Sequence, residues 1–277
     1  MRIPSRVMTF AGSAAGGSAG IQADLKTFQE LDAYGMSVVT ALVAHHPETD
    51  KNVHLQTIEA IEAQFATAIK QVGVDALKTG MLFSEDIIEK ASNLIATSDV
   101  RTIVVDPVMV GKLDSKLLAD NAIGMLRDRL LPMAQIITPN VPEASYLLNG
   151  RAMHTLDDMK QAAIDLHELG PTYVLVKGGR LKGEAIDVLY DGETLITFEA
   201  PRIDTVNTSG AGCTYSAAIT AYLSKGYLVP EAVRLAKSFV TTAIEYGFSY
   251  NDMVGPTYHA AERVQGEAHT IKVEQLV

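Results

Sequence analysis

The chain has 277 residues and is 47% hydrophobic, which excludes disorder as its main state and supplies a large core for one α/β sheet. With 23 Lys and Arg against 33 Asp and Glu it carries a formal net charge of −10, and the absence of a basic block argues against nucleic acid as a partner. Its one cysteine, Cys213, excludes an intrachain disulfide framework and fits a reducing compartment, while no apolar run reaches the ~18–20 residues of a membrane helix.

The first residues lead into a strand-like run over 7–11 rather than the apolar core of a signal peptide, so a cytoplasmic location is expected. The glycine-rich loop 12–20 follows, and Ile21, Leu25, Phe28 and Leu31 then recur at helical spacing. Residues 37–43 read as a buried strand, and Ile58, Ile61, Phe65 and Ile69 line a second helix. A short strand over 76–78 precedes a helix carrying Ile87, Ile88, Ala91 and Ile95. Further strands are predicted over 102–105, 135–138 and 172–176. Strands alternating with helices specify repeated β-α units and a mainly parallel sheet. Beyond Gly178-Gly179, residues 185–190 and 194–198 flank Asp191-Gly192, which suits the type I′ turn of an antiparallel hairpin. Helices are predicted over 212–223 and 230–246, and the polar stretch 265–277 reads as a loosely held tail. Neither an internal repeat nor a linker divides residues 1–277, which read as a single domain.

Three segments carry chemistry. Ser209-Gly210-Ala211-Gly212-Cys213-Thr214 opens an Ala-rich helix. Its glycines permit close backbone approach, and the N–H groups of a helix start attract an anion, such as the charge on a phosphoryl group in transfer. Cys213 at that positive end is expected to have a lowered pKa, with a buried small residue as the alternative. Asn140 and Glu143 follow a strand, where α/β proteins bind ligands; an amide and a carboxylate three apart suit a hydrated Mg²⁺, or equally a helix-capping box. Asp106 ends a strand, either to orient metal-bound water or merely to terminate it, and Lys177 sits beside Gly178-Gly179 where it can meet a nucleotide phosphate. Loop 12–20 has neither the dinucleotide spacing Gly-x-Gly-x-x-Gly nor Gly-Lys-Ser/Thr, so it is read as a substrate cradle. His45 and His46 have no third ligand at metal spacing, which makes zinc improbable.

Together these segments resemble the ribokinase superfamily, in its branch of hydroxymethylpyrimidine kinases and pyridoxal kinases. The resemblance spans nearly the whole chain. It is carried by Thr9 to Ser13, Ala19 to Thr27, Lys78-Thr79-Gly80-Met81, Asp106-Pro107-Val108-Met109, Ile137 to Ala144, Lys177-Gly178-Gly179 and Ser209 to Thr214. Cysteine at 213, where most of the superfamily has Asp, marks this branch.

The resemblance implies a ribokinase-like α/β fold, a mainly parallel central sheet flanked by helices on both faces, with a small lid. It implies ATP- and Mg²⁺-dependent phosphorylation of the 5′-hydroxymethyl group of pyridoxal, pyridoxine or pyridoxamine. A hydroxymethylpyrimidine or phosphomethylpyrimidine kinase is the alternative, and a non-catalytic B6-binding carrier the alternative of another class. On this resemblance Gly210, Ala211, Gly212 and Cys213 form the anion hole, with Cys213 at the acceptor hydroxyl. Asn140, Lys177, Gly179, Thr208 and Lys225 face the nucleotide, and Lys112 lies on the lid. Asp24, His45, Met81 and Val108 line the ring pocket, and Glu143 with Asp106 serves Mg²⁺. A homodimer is the family expectation. Three positions depart from the family: Ala14 replaces Asp, His45 stands where pyrimidine kinases have Gln, and Gly111 stands where several pyridoxal kinases have a second Cys. Segments 187–194 and 254–259 resemble the pyridoxal kinases more closely.

Overall fold

The computed structural model describes residues 3–44, 48, 52–110, 118–252 and 254–276. The first half comprises β1 (Ser5–Ala14), α1 (Ile21–Glu30), β2 (Ala33–Val43), β3 (Val53–Leu55), α2 (Ile58–Thr67), β4 (Ala76–Thr79), α3 (Glu85–Ala96), β5 (Thr102–Val105) and α4 (Asp120–Met125). Then follow β6 (Ile136–Ile137), α5 (Val141–Leu147), α6 (Leu156–His167), β7 (Tyr173–Val176), β8 (Ala185–Tyr190) and β9 (Leu195–Ala200). The chain continues through α7 (Ala211–Ser224), α8 (Val229–Glu245), α9 (Ala261–Gln265) and β10 (Lys272–Leu276).

The strands form one sheet in the order β10-β9-β8-β7-β6-β5-β4-β1-β2-β3. Pairings from β2 through β1, β4, β5 and β6 to β7 are parallel, and those at both flanks are antiparallel. Period-two alternation divides each central strand between two cores. Met8, Phe10, Leu77, Val105, Ile137, Val174 and Val176 pack toward α2, α3, α5 and α6. Val7, Val104, Ile136 and Leu175 pack toward α1, α7 and α8. Helices therefore cover both faces, as the ribokinase resemblance implies.

Two expectations are corrected. The hairpin between β8 and β9 pairs Tyr190 with Leu195, leaving a four-residue loop instead of a two-residue type I′ turn. The Asp191 carboxylate decides this by accepting from the N–H groups of Glu193 and Thr194, an Asx-type turn. The tail is not loose: β10 pairs antiparallel with β9, with Val273 opposite Phe198, and Lys272 Nζ lies 3.1 Å from Glu199 Oε2. An edge strand held by backbone bonds needs no apolar alternation, which is why its polar sequence gives no strand signal. Helices α4, α5, α6 and α9 and strand β3 add to the elements predicted. The lid segment around Gly111 and Lys112 lies outside the described residues.

Candidate active site

The parallel strands end together, and their carboxyl ends carry the polar residues. From β1 the chain passes through α1 to β2 on one side, then returns to β4 on the other, so order reverses at the β1/β4 boundary. Crevices at such switch points are where open α/β sheets bind ligands. Loop 12–20, Asp106, the start of α5 and Lys177 all emerge along this edge.

Its floor is ionic. Lys78, on the interior strand β4, is fully buried on the α1/α7 face, and its Nζ lies 2.8 Å from Asp24 Oδ1. Thr9 Oγ1 donates to the other Asp24 oxygen at 2.6 Å. Burial would lower the Lys78 pKa, but Asp24, Cys213 and Asp106 more than offset that and hold it raised. At the end of the neighbouring strand β5, Asp106 Oδ1 accepts from Lys177 Nζ at 3.0 Å and from Thr138 Oγ1 at 3.2 Å, while Oδ2 accepts from Ser216 Oγ at 3.1 Å. Burial also opposes the Lys177 charge, and Asp106 and Glu143 keep it cationic. Glu143 is buried, and that burial, with Asp106 adding repulsion against the pull of Lys177, raises its pKa to about 7.

The two readings of Asn140 and Glu143 meet here, because the capping box is made. Asn140 Oδ1 accepts from Glu143 N at 3.0 Å, and Glu143 Oε2 accepts from Asn140 N at 2.8 Å. The box ties the Glu143 carboxylate near Asp106 and Lys177, so capping and electrostatics share one side chain.

Helix α7 begins differently. Its N-cap is Gly210 at φ 84°, and no side chain caps it. A Cβ on Gly210 would lie 1.7 Å from Ser18 O, so this position admits only glycine. Gly20 is held in the same way, its Cβ position 2.2 Å from Gly12 O, and Ser209 Oγ donates to Ser18 Oγ at 2.8 Å. Loop 12–20 and the start of α7 are thus interlocked. First-turn N–H groups of Gly212 and Cys213 have no intrahelical acceptor, which leaves the turn able to accept an anion. Lys177 Nζ comes within 3.5 Å of where a Gly212 Cβ would be, adding a cation to it. From behind, His259 Nε2 meets Thr214 Oγ1 at 3.0 Å.

One electrostatic expectation is reversed. Burial, reinforced by Asp24 and Asp106, pushes the Cys213 thiol up to about 11 despite Lys78 and the Gly20 N–H. The helix end lowers a thiol pKa only where nearby charges and exposure do not outweigh it.

Gly210, Ala211, Gly212, Cys213, Asn140, Glu143, Asp106, Lys177 and Asp24 are therefore brought to one edge of the sheet. Thr208 and Gly179 lie on its exposed rim, Gly179 O accepting from Arg202 Nη1 at 2.9 Å. Val108 follows Asp106 in a tight turn, its N–H donating to Asp106 O at 2.8 Å, and Met81 O accepts from Thr40 Oγ1 at 2.9 Å. Both are half-buried at the ends of β5 and β4. Lys225 does not join them. It follows the last residue of α7, about 20 Å of helix from the anion hole at 1.5 Å per residue, and its Nζ donates to Leu31 O. His45 and Lys112 fall outside the described residues. Sequence reasoning missed Lys78 as a site residue. A charged side chain in a four-residue strand of a parallel sheet is the signal, because such strands are buried on both faces and the charge needs a buried partner.

No three His, Cys, Asp or Glu side chains converge as a metal cage among the described residues. The donor set, Asp106 and Glu143 in mutual repulsion, fits instead an ion like Mg²⁺ that keeps waters and takes ligands from phosphates. The α7 first turn with Lys177 fits a phosphate chain.

A sequence profile of the family described as phosphomethylpyrimidine kinase matches residues 15–258. A pyridoxine kinase of Bacillus subtilis is 48% identical over 267 residues, covering 95% of this chain and 98% of that protein. A hydroxymethylpyrimidine/phosphomethylpyrimidine kinase of Streptomyces coelicolor is 43% identical, covering 92% and 94%. The solved structure of the pyridoxal kinase from Staphylococcus aureus in complex with AMP-PCP and pyridoxal superposes with a TM-score of 0.91 at 38% identity, covering 99% of this chain and 100% of that one. Profile, relatives and fold agree with one another, and the chain belongs to the phosphomethylpyrimidine kinase family of ribokinase-like enzymes.

Proposed function

We propose that this protein is a kinase that transfers the γ-phosphoryl group of ATP to the 5′-hydroxymethyl group of pyridoxal, pyridoxine or pyridoxamine. The observation that carries it is the uncapped first turn of α7 facing Lys177, with Asp106 beside them. Likeness to the B. subtilis pyridoxine kinase and to the S. aureus complex supports the B6 acceptor. When bound, Mg-ATP supplies the phosphoryl group and neutralises part of its charge. The chain contributes placement and electrostatics, which dominate phosphoryl transfer. The N–H groups of Gly212 and Cys213 bind the equatorial oxygens, and Lys177 supports them. Glu143 and Asp106 would hold the ion, with Asn140, Thr208 and Gly179 along the nucleotide. Asp24, Met81 and Val108 bound the ring pocket, with His45 and Lys112 assigned by the resemblance. A thiol with a pKa of about 11 keeps its proton at neutral pH, so Cys213 acts as a hydrogen-bond partner to the acceptor hydroxyl, whose proton leaves to the oxygens of the transferred phosphoryl group rather than to sulfur.

We read the chain as one kinase domain, since one sheet carries both cores, working as a homodimer in the cytoplasm as the family resemblance suggests. Among the described residues no helix is long and apolar enough to cross a membrane. The second reading, a hydroxymethylpyrimidine kinase, is favoured by the Streptomyces relative. Side-by-side kcat/KM values for pyridoxal, pyridoxine and hydroxymethylpyrimidine with Mg-ATP decide between them. A preference for the B6 vitamers is expected, and a preference for the pyrimidine replaces the proposal with the second reading. Tight B6 binding without turnover points to the carrier.

A further inference from the structure

Strand β8 carries a carboxylate in a position buried between sheet and helix. Asp187 is 2% exposed, and its Oδ2 lies 2.6 Å from Lys237 Nζ on α8, itself 5% exposed. The other oxygen, Oδ1, accepts from the backbone N–H of Gly178 at 2.9 Å. Gly178 has no room for a side chain, since a Cβ there would lie 2.0 Å from Ile186 O. The peptide that follows Lys177 is therefore pressed onto β8 and hydrogen-bonded to Asp187. On the opposite side Lys177 N donates to Pro139 O at 2.8 Å. Pinned from both flanks, the backbone leaves the Lys177 side chain directed at Asp106 and the first turn of α7.

A buried ion pair is a poor way to stabilise a core, because desolvation consumes most of the attraction and an apolar pair of similar volume usually serves as well. The Asp187–Lys237 pair does something an apolar pair does not: it presents a fixed acceptor to one backbone N–H beside the phosphate-facing lysine. We propose that Asp187 is a positioning residue, with Lys237 balancing its charge, that sets the 177–178 peptide and so aims the Lys177 ammonium at the nucleotide phosphates. This rests on the nucleotide role proposed above for Lys177.

The test uses the full chain and the non-hydrolysable analogue AMP-PCP, whose Kd by calorimetry needs no acceptor substrate. D187L/K237M removes acceptor and both charges while filling the volume, and D187A/K237M repeats the loss at smaller volume should the first not fold. D187N/K237M removes the charges but keeps a carbonyl acceptor for Gly178. The acceptor-less variants are expected to weaken AMP-PCP binding about tenfold and to raise KM for ATP similarly, with KM for pyridoxal within about twofold, as a displaced contact group would. D187N/K237M is expected to recover binding to within about threefold. Wild-type affinity in a folded acceptor-less variant overturns the inference alone, as does equal loss in all three. Failure of the wild-type chain to bind AMP-PCP overturns the kinase reading, and the inference with it.

Discussion

The two ends of the parallel strands hold the same kinds of charge under different conditions. At the amino ends, a cleft of about 450 Å³ is lined by Ser5, Arg6, Asp32, Asp75, Ser224 and Lys225. The Arg6 and Asp75 side chains pair there while 39% and 35% exposed. At the carboxyl ends, Lys78 and Asp24 are 1% and 0% exposed, and Lys177 and Asp106 11% and 2%. Water screens the first group, so each pair stands nearly alone. Excluding water from the second makes every charge answer to the others: Asp106 acts on Glu143, Lys177, Lys78 and Cys213 together. Crowding of charge, more than its presence, sets the carboxyl end of this sheet apart.

The sharpest break comes from removing one cation at each end. Lys78→Met strands the Asp24 carboxylate in the interior and is expected to cost about 3–5 kcal/mol in urea unfolding. Arg6→Met removes an exposed partner and is expected to cost less than about 1 kcal/mol. Equal losses would dissolve the distinction between the two ends.

A second, somewhat smaller effect sharpens it through pH. Glu143 binds its proton more tightly folded, with a pKa of about 7, than unfolded, where 4.5 applies. Stability therefore falls as pH rises from 4.5 to 7, by about 3 kcal/mol in all. His259 opposes that slope: burial drives its pKa down to about 4, so its contribution is lost as pH falls below 6.5. Between about pH 4.5 and 6.5 the two slopes oppose each other. Glu143→Gln keeps an acceptor for the capping box and removes one slope, so the variant's Tm advantage is expected to grow from pH 4.5 to pH 7. Parallel melting curves across that range would show that the Glu143 carboxylate is solvated after all.

The smallest effect concerns Cys213. A resting thiolate would supply general-base help of ~10²–10⁴-fold. A thiol whose pKa is raised to about 11 by burial offers a hydrogen bond instead, so Cys213→Ala is expected to lower kcat by about tenfold. Stopped-flow or steady-state rates check this. A loss near 10⁴ would restore the thiolate, and no loss would reduce Cys213 to packing.

What the sequence discloses and what it conceals divide along the same line. Asp106, Asn140 and Lys177 are legible because apolar alternation stops where each strand delivers a polar residue to the edge. The start of α7 is legible because two glycines precede an Ala-rich helix. Lys78 is concealed by its apolar strand neighbours, since its partner Asp24 lies 54 residues away. The Cys213 pKa is concealed for a related reason: Asp24, Lys78 and Asp106 approach it from three separate β-α units. Lys225 misleads because nearness to α7 in sequence is distance along a helix in space. The turn at Asp191 and the strand β10 escape because a side-chain acceptor and a backbone ladder decide them, and neither leaves a hydrophobic period.

The interlock between loop 12–20 and Gly210 sets a timetable for synthesis. Ser18 meets Ser209 across 191 positions of chain, and the contact from His259 to Thr214 is made later still. At ~5–20 residues per second on a ribosome, the first loop waits roughly ten to forty seconds for the glycine that completes it. Strand β1 and helix α1 can form early, but until that partner emerges the loop has no α7 to close against. The interlocked start of α7 is accordingly among the last parts of the molecule to exist, and a nascent chain that has already built most of its parallel sheet still lacks it.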